Sequence, residues 1–175
     1  MKFGRLVPAG VLALVLCVWL LASCGGGPRV GGPDPGALDD FRAEDLQGRV
    51  WDQERLQGQV VLLDFWATWC APCVEELPYL KTAYQRHGDD GFEIVGISLD
   101  GPDREAFRSW IEENDVDWPQ IHEGKQFDSR LAREFGVTSI PSSLLLDRDG
   151  EVIAANLRGP RLVQAVEKAV QGPAS

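Results

Sequence analysis

Two cysteines three positions apart, Cys70 and Cys73 in Trp69-Cys70-Ala71-Pro72-Cys73, are the side chains of this sequence best suited to chemistry. A thiolate attacks a disulfide sulfur through a mixed disulfide, and a second thiol one helical turn away can displace what the first has captured. Cys70 falls where a helix should begin, and free backbone N–H groups and the helix dipole favour an anion there. Cys70 is therefore the expected nucleophile and Cys73 the resolver. Pro72 suits the first turn because its missing N–H has no role at that position. Zinc is the competing use of such a pair, but it needs four ligands, and the body of the chain holds no second cysteine pair. His87, fourteen residues along the same helix from Cys73, would be roughly 21 Å away at the helical rise.

Two carboxylates join the candidates. Asp64 interrupts the apolar run 60–66, where an unpaired charge is costly and raises its own pKa. The structural alternative is an Asp at the exposed end of a strand. Glu76 follows Cys73 by three residues and shares its helix face. It could equally be an acid that the helix dipole favours in the first turn. Glu75 points elsewhere and is set aside.

The elements that must position these groups alternate between strand-like and helix-like patterns from residue 39 to about residue 172. Residues 41–45 and 49–51 predict a short pair of strands around Gly48. Residues 60–66 form a continuous apolar run, as expected of a strand covered on both faces. Helical spacing follows over 73–87, a second buried strand over 92–99, and helices over 103–114 and 129–135. Strands over 143–146 and 151–155 flank Asp147-Arg148-Asp149-Gly150, a hairpin signal. A helix over 161–170 closes the chain. Such alternation predicts an α/β domain with a mixed, mostly parallel central sheet flanked by helices, and an added N-terminal β-hairpin.

The front of the chain is different. Lys2 and Arg5 precede an apolar stretch over 6–22, the layout of a secretory signal. Its end, Leu21-Ala22-Ser23-Cys24, resembles the bacterial lipobox, which implies cleavage after residue 23 and lipid on Cys24. An uncleaved membrane helix is the alternative, at the lower limit of spanning length. Either reading leaves the remainder outside the cytoplasm and tethered to a membrane. Residues 24–38 are a Gly/Pro-rich linker, and 39–175 the domain. Beyond residue 23 the chain carries 15 basic against 27 acidic residues, a balance of −12 with no basic stripe. Nucleic acid is an improbable partner for such a surface.

Asp64-Phe65-Trp66-Ala67-Thr68-Trp69-Cys70-Ala71-Pro72-Cys73 resembles the thioredoxin active-site segment. The N-terminal extension and the Glu-Leu-Pro after the cysteines are similar to the exported branch typified by TlpA and ResA. This resemblance implies a thioredoxin-like fold and a thiol–disulfide oxidoreductase that needs no cofactor beyond its own Cys70–Cys73 couple. It assigns Pro78 to the helix kink and Pro141 to the cis-proline facing the cysteines, although Ile–Pro read alone favours trans. It places Trp66 under the site and Trp69 on its rim. It gives Ile140, Pro141 and Gly159 to substrate binding, with the loop before Gly159 one residue longer than in thioredoxin. Asp64 takes the place of thioredoxin's buried proton acceptor, where TlpA-like proteins often carry Asn, and Glu76 that of a Glu tuning the cysteines in ResA-like proteins. The partners implied are disulfide-containing exported proteins, apocytochrome c being one candidate, and a membrane thiol-electron donor. The chain is expected to work as a monomer.

Two other activities share this fold. A peroxiredoxin-like peroxidase would want Pro-x-x-x-Thr-x-x-Cys, and Thr68 stands only two residues before Cys70 with no matching Pro. A Sco-like copper module needs CxxxC and a distant His, which only His87 or His122 could supply.

Overall fold

Seven consecutive residues, Val60–Trp66, are all buried, because a strand covered on both faces has no outward side to leave polar. The computed structural model describes residues 33–172. In chain order the elements are β1 (Arg42–Glu44), β2 (Val50–Asp52), α1 (Gln53–Leu56), β3 (Val60–Trp66), α2 (Ala71–His87), β4 (Phe92–Ser98), α3 (Arg104–Glu113), β5 (Gln120–His122), α4 (Arg130–Glu134), β6 (Ser142–Leu146), β7 (Val152–Ala155) and α5 (Pro160–Gln171). β1 and β2 form a separate antiparallel pair. The other five strands make one sheet in the order β5-β4-β3-β6-β7.

β3 pairs in parallel with β4, and β4 with β5, whereas β3–β6 and β6–β7 are antiparallel. The sheet is mixed and mostly parallel, as the sequence predicts: β3, β4, β5 and β7 run one way and β6 runs the other. The edge strand β5 escaped the sequence reading. Three residues beside Pro119 give too short a run to show alternation, and a neighbouring proline argues against a strand. Its place is set by partners instead, through Gly96↔Gln120 and Ile97↔Ile121.

Four residues counted with the linker, Pro35–Leu38, form a turn of 3-10 helix with Leu38 buried. The Asp34 amide donates to Phe135 O at 2.7 Å, so packing of the domain starts ahead of residue 39. The secretory segment, the lipobox and Cys24 lie outside the described residues. Among those residues no helix is long and apolar enough to cross a membrane.

Candidate redox site

The cysteines are positioned by the end of β3 and the start of α2. Cys70 is the N-cap of that helix, with extended backbone, and Cys73 lies in its first turn. The Cys73 amide donates to Cys70 O at 2.9 Å and to Cys70 Sγ at 3.3 Å. The two sulfurs are joined in a disulfide, so Cys70 Sγ here stands where the thiolate sits in the reduced protein. The helix N–H that touches it would stabilise that thiolate. Both cysteines are buried, Cys70 at 5 % and Cys73 at 2 % exposure. Helix α2 continues through Pro78, and Thr82 Oγ1 donates to Pro78 O at 2.7 Å.

Asp100 lashes the approach to Cys70. Its carboxylate accepts the Thr68 amide at 3.2 Å on each oxygen, Thr68 Oγ1 at 2.6 Å and Ser98 Oγ at 2.8 Å. Sequence reasoning passed over it, since an Asp just beyond a strand carries no local signal. Trp66, the last residue of β3, is buried and packs on Phe107 and Trp110. Its indole N–H donates to Gln120 Oε1 at 3.0 Å. A Cβ on Gly96 would come within 2.3 Å of that same oxygen, so residue 96 must be glycine for Gln120 to reach Trp66. Trp69 is 53 % exposed and stands 6.3 Å from the ring of Phe127, itself 38 % exposed. Phe127 also lines a groove of about 480 Å³ with Arg133, Val137 and Thr138.

The β3–β6 register, ending at Phe65↔Ser142, carries Pro141 to the end of β3 from which the cysteine loop departs. The Ile140–Pro141 bond is cis. The next loop closes the circle. Gly159, at φ 55° in the left-handed region that favours glycine, presents its amide to Glu76 Oε2 at 2.7 Å. Arg158 donates to Leu157 O at 2.6 Å and to Pro141 O. Two hydrogen bonds and the peptide bond between Arg158 and Gly159 thus link Glu76 on α2 to Pro141.

Asp64 lies inside β3, between Gly96 on β4 and Ser143 on β6. It is 7 % exposed, and among the described residues no donor reaches its carboxyl. Burial pushes its pKa up to about 7, opposed by the charge of Arg158 and reinforced by that of Glu76. Ser143 directly across is 1 % exposed, its hydroxyl also without a hydrogen-bond partner among the described residues. The exposed-strand-end alternative for Asp64 is therefore excluded. The two histidines are engaged elsewhere: His87 stands 3.8 Å from Asp90 at the far end of α2, and His122 stacks on Phe107 and contacts Gly101 O at 2.9 Å.

A disulfide capping a helix at the end of a central strand, faced by a cis-proline loop, defines a thiol–disulfide oxidoreductase of thioredoxin-like fold. The chain belongs to the AhpC/TSA family, whose model matches residues 36–155, and is of the ResA/TlpA type. The thiol–disulfide oxidoreductase ResA of Bacillus thuringiensis subsp. konkukian is 31% identical over 130 residues, 74% of this chain and 72% of that protein. The thioredoxin domain of a thiol–disulfide oxidoreductase from Bacteroides vulgatus superimposes with a TM-score of 0.67 at 32% identity, over 75% of this chain and 93% of that one. A thiol:disulfide interchange protein from Bacteroides sp. gives 0.65 at 32% identity, over 82% and 91%.

Proposed function

We propose that this protein is a membrane-anchored reductase of disulfides in exported proteins, tethered through lipid on Cys24 and supplied with electrons by a membrane thiol donor. The observation that carries the reductase chemistry is the Cys70–Cys73 disulfide at the N-cap of α2. In the reduced protein the Cys70 thiolate attacks one sulfur of the substrate disulfide and expels the other as a thiolate. Cys73 then gives its proton to the Asp64 carboxylate and attacks Cys70 Sγ, releasing the second substrate thiolate and forming Cys70–Cys73. Two electrons pass to the substrate, and the protein ends as the disulfide described above. A buried, unpaired carboxyl poised near neutrality supports the role of Asp64, because proton transfer is most effective when the acceptor's pKa is near the working pH. The exposed pair Trp69 and Phe127 and the adjoining groove offer apolar surface to an unfolded chain, with Ile140, Pro141 and Gly159 as further substrate contacts. Unfolded apocytochrome c, which presents its cysteines in an extended segment, is one substrate of that kind. Supply of electrons from the membrane follows from the compartment, where a dithiol stays reduced only if it is continually recharged.

Trapping in membranes of the producing bacterium tests this reading. Cys73→Ser should accumulate mixed disulfides with exported proteins and Cys70→Ser none; first labelling of Cys73 by alkylation at neutral pH would reverse the assignment. Intact mass of the same material should show residues 1–23 removed and lipid on Cys24, and retention of Met1 would sink the lipoprotein anchor.

A further inference from the structure

Asp100 holds two segments, the cysteine loop and the turn at Gln126–Asp128. Its carboxylate accepts the Thr68 amide and hydroxyl, two residues before Cys70. Its carbonyl accepts the Gln126 amide at 3.3 Å. The next residue on each segment is aromatic, and the rings of Trp69 and Phe127 meet at 6.3 Å with both side chains exposed. Gln126 keeps a left-handed φ of 51°, which a residue with a side chain adopts only where its surroundings hold it. Phe127 also lines the groove that it shares with Val137 and Thr138, and the chain runs from Thr138 through Ser139 into the cis-proline loop. The two charged residues on that groove, Asp128 and Arg133, are paired with each other at 2.7 Å, so its lining carries no net charge.

We propose that Phe127 is a specificity-determining residue, favouring substrates that carry a large apolar side chain close to the cysteine that Cys70 attacks. This rests on the reading of the protein as a reductase of disulfides in exported proteins. A mixed disulfide pins the substrate's cysteine at Cys70, next to Trp69, and Phe127 lies one ring contact further out. An extended chain advances about 3.3 Å per residue, so the side chain that reaches Phe127 stands roughly two to four residues from that cysteine. Covering the exposed faces of the two rings and the groove removes apolar surface from water, and the gain follows the area covered. A polar side chain in the same place would give up hydration against the rings without a hydrogen bond in return. Phe127 carries no group that reacts or moves a proton, so its effect falls on substrate binding and not on the limiting rate of exchange.

The experiment follows single-turnover oxidation of the reduced full-length protein by peptide disulfides, read through tryptophan fluorescence. One Phe is moved through the second to fourth positions on each side of the peptide's cysteine and compared with a parent carrying Ser throughout. Wild type should prefer at least one Phe peptide over the parent by about tenfold, with the gain in half-saturating concentration and the limiting rate alike for both. Phe127→Ala should reduce that preference to about twofold or less, and Phe127→Leu, which keeps an apolar side chain, should retain most of it. The preference is a ratio within one protein, so partial unfolding of a variant lowers both rates and leaves it unmoved. A Phe127→Ala protein that keeps the wild-type preference, even with both rates lowered, overturns the proposal and leaves Phe127 a scaffold residue. If wild type reduces every peptide alike, the specificity proposal fails while the reductase reading stands. If it reduces none of them, the reductase reading itself fails, and the Phe127 proposal with it.

Discussion

Two buried aspartates in this protein meet opposite fates. Asp45, at the turn between β1 and β2, is 1 % exposed and accepts the amides of Gln47 and Arg49, Arg49 Nε and Trp51 Nε1, all within 2.9 Å. Burial alone would raise its pKa, but the hydrogen bonds from Trp51, Arg49 and Gln47 outweigh it and hold the carboxyl below its ordinary value. Asp64, in the middle of the main sheet, is 7 % exposed and receives no donor among the described residues, and burial raises its pKa to about 7. The first is a fastener and the second a reserve of unspent polarity. Burial without a donor favours the neutral carboxyl, whereas donors favour the charged one, so the two aspartates shift in opposite directions.

The largest effect expected from this contrast is on the pH dependence of stability. In the folded oxidised protein Asp64 stays protonated up to about pH 7, whereas in the unfolded chain it ionises near its ordinary value of 3.8. Between those values the unfolded state binds fewer protons, so stability falls as pH rises from about 4 to about 7 and levels above that. Asp64→Asn removes this part of the slope. The gap between variant and wild type should widen across the interval by on the order of 4 kcal/mol, at 1.36 kcal/mol per pH unit over about three units. Denaturant unfolding curves at several pH values measure it, and a gap constant with pH would mean that Asp64 is solvated or paired.

A smaller effect is expected at Asp45, and of opposite kind. Asp45→Ala strands the Trp51 indole N–H and removes the partner of Arg49, which should cost roughly 2 to 3 kcal/mol near pH 7. The stability that Asp45 supplies is present above its ordinary value of 3.8 and is lost as pH falls below it. Disulfide-exchange rates of the folded variant should match wild type. An Asp45→Ala protein that keeps its stability but loses exchange activity would erase the distinction between the two regions.

The smallest change is expected at Glu76, which stands between the two cases because it is held by one donor and lies on the reactive helix itself, one turn beyond Cys73. Glu76→Gln can still accept from the Gly159 amide, so stability should drop by about 1 kcal/mol or less. Removing its negative charge makes Asp64 easier to ionise, so the midpoint of the resolution step should move downward in pH. An upward move would show that Glu76 serves only to hold the Gly159 loop.

Much of the scaffold is written in short windows of sequence. The apolar run of β3 coincides with the observed strand, Val60–Trp66, because burial on both faces leaves an unmistakable composition. Helix α2 and the hairpin at residues 147–150 were legible through spacing and turn chemistry, and the cysteine pair through its separation along one helical turn. Asp64 stood out because a charge in an apolar run is a local contradiction.

What the sequence could not supply are partnerships between distant residues, above all those made to backbone carbonyls, which carry no residue identity. Arg158 reads as an ordinary surface cation until the fold brings Pro141 O, 17 positions away, to its guanidinium. Asp100 becomes the clamp on Thr68 only because β4 ends beside β3, and the Gln120 side chain reaches Trp66 through space that Gly96 leaves open. The sequence by itself determined the reactive pair, the strand behind it and the helix that activates it, since these depend on neighbours in the chain. The tertiary structure alone decided which charges surround Asp64 and which loop is tied to the proline, because both follow from the register of strands whose partners lie far apart in sequence.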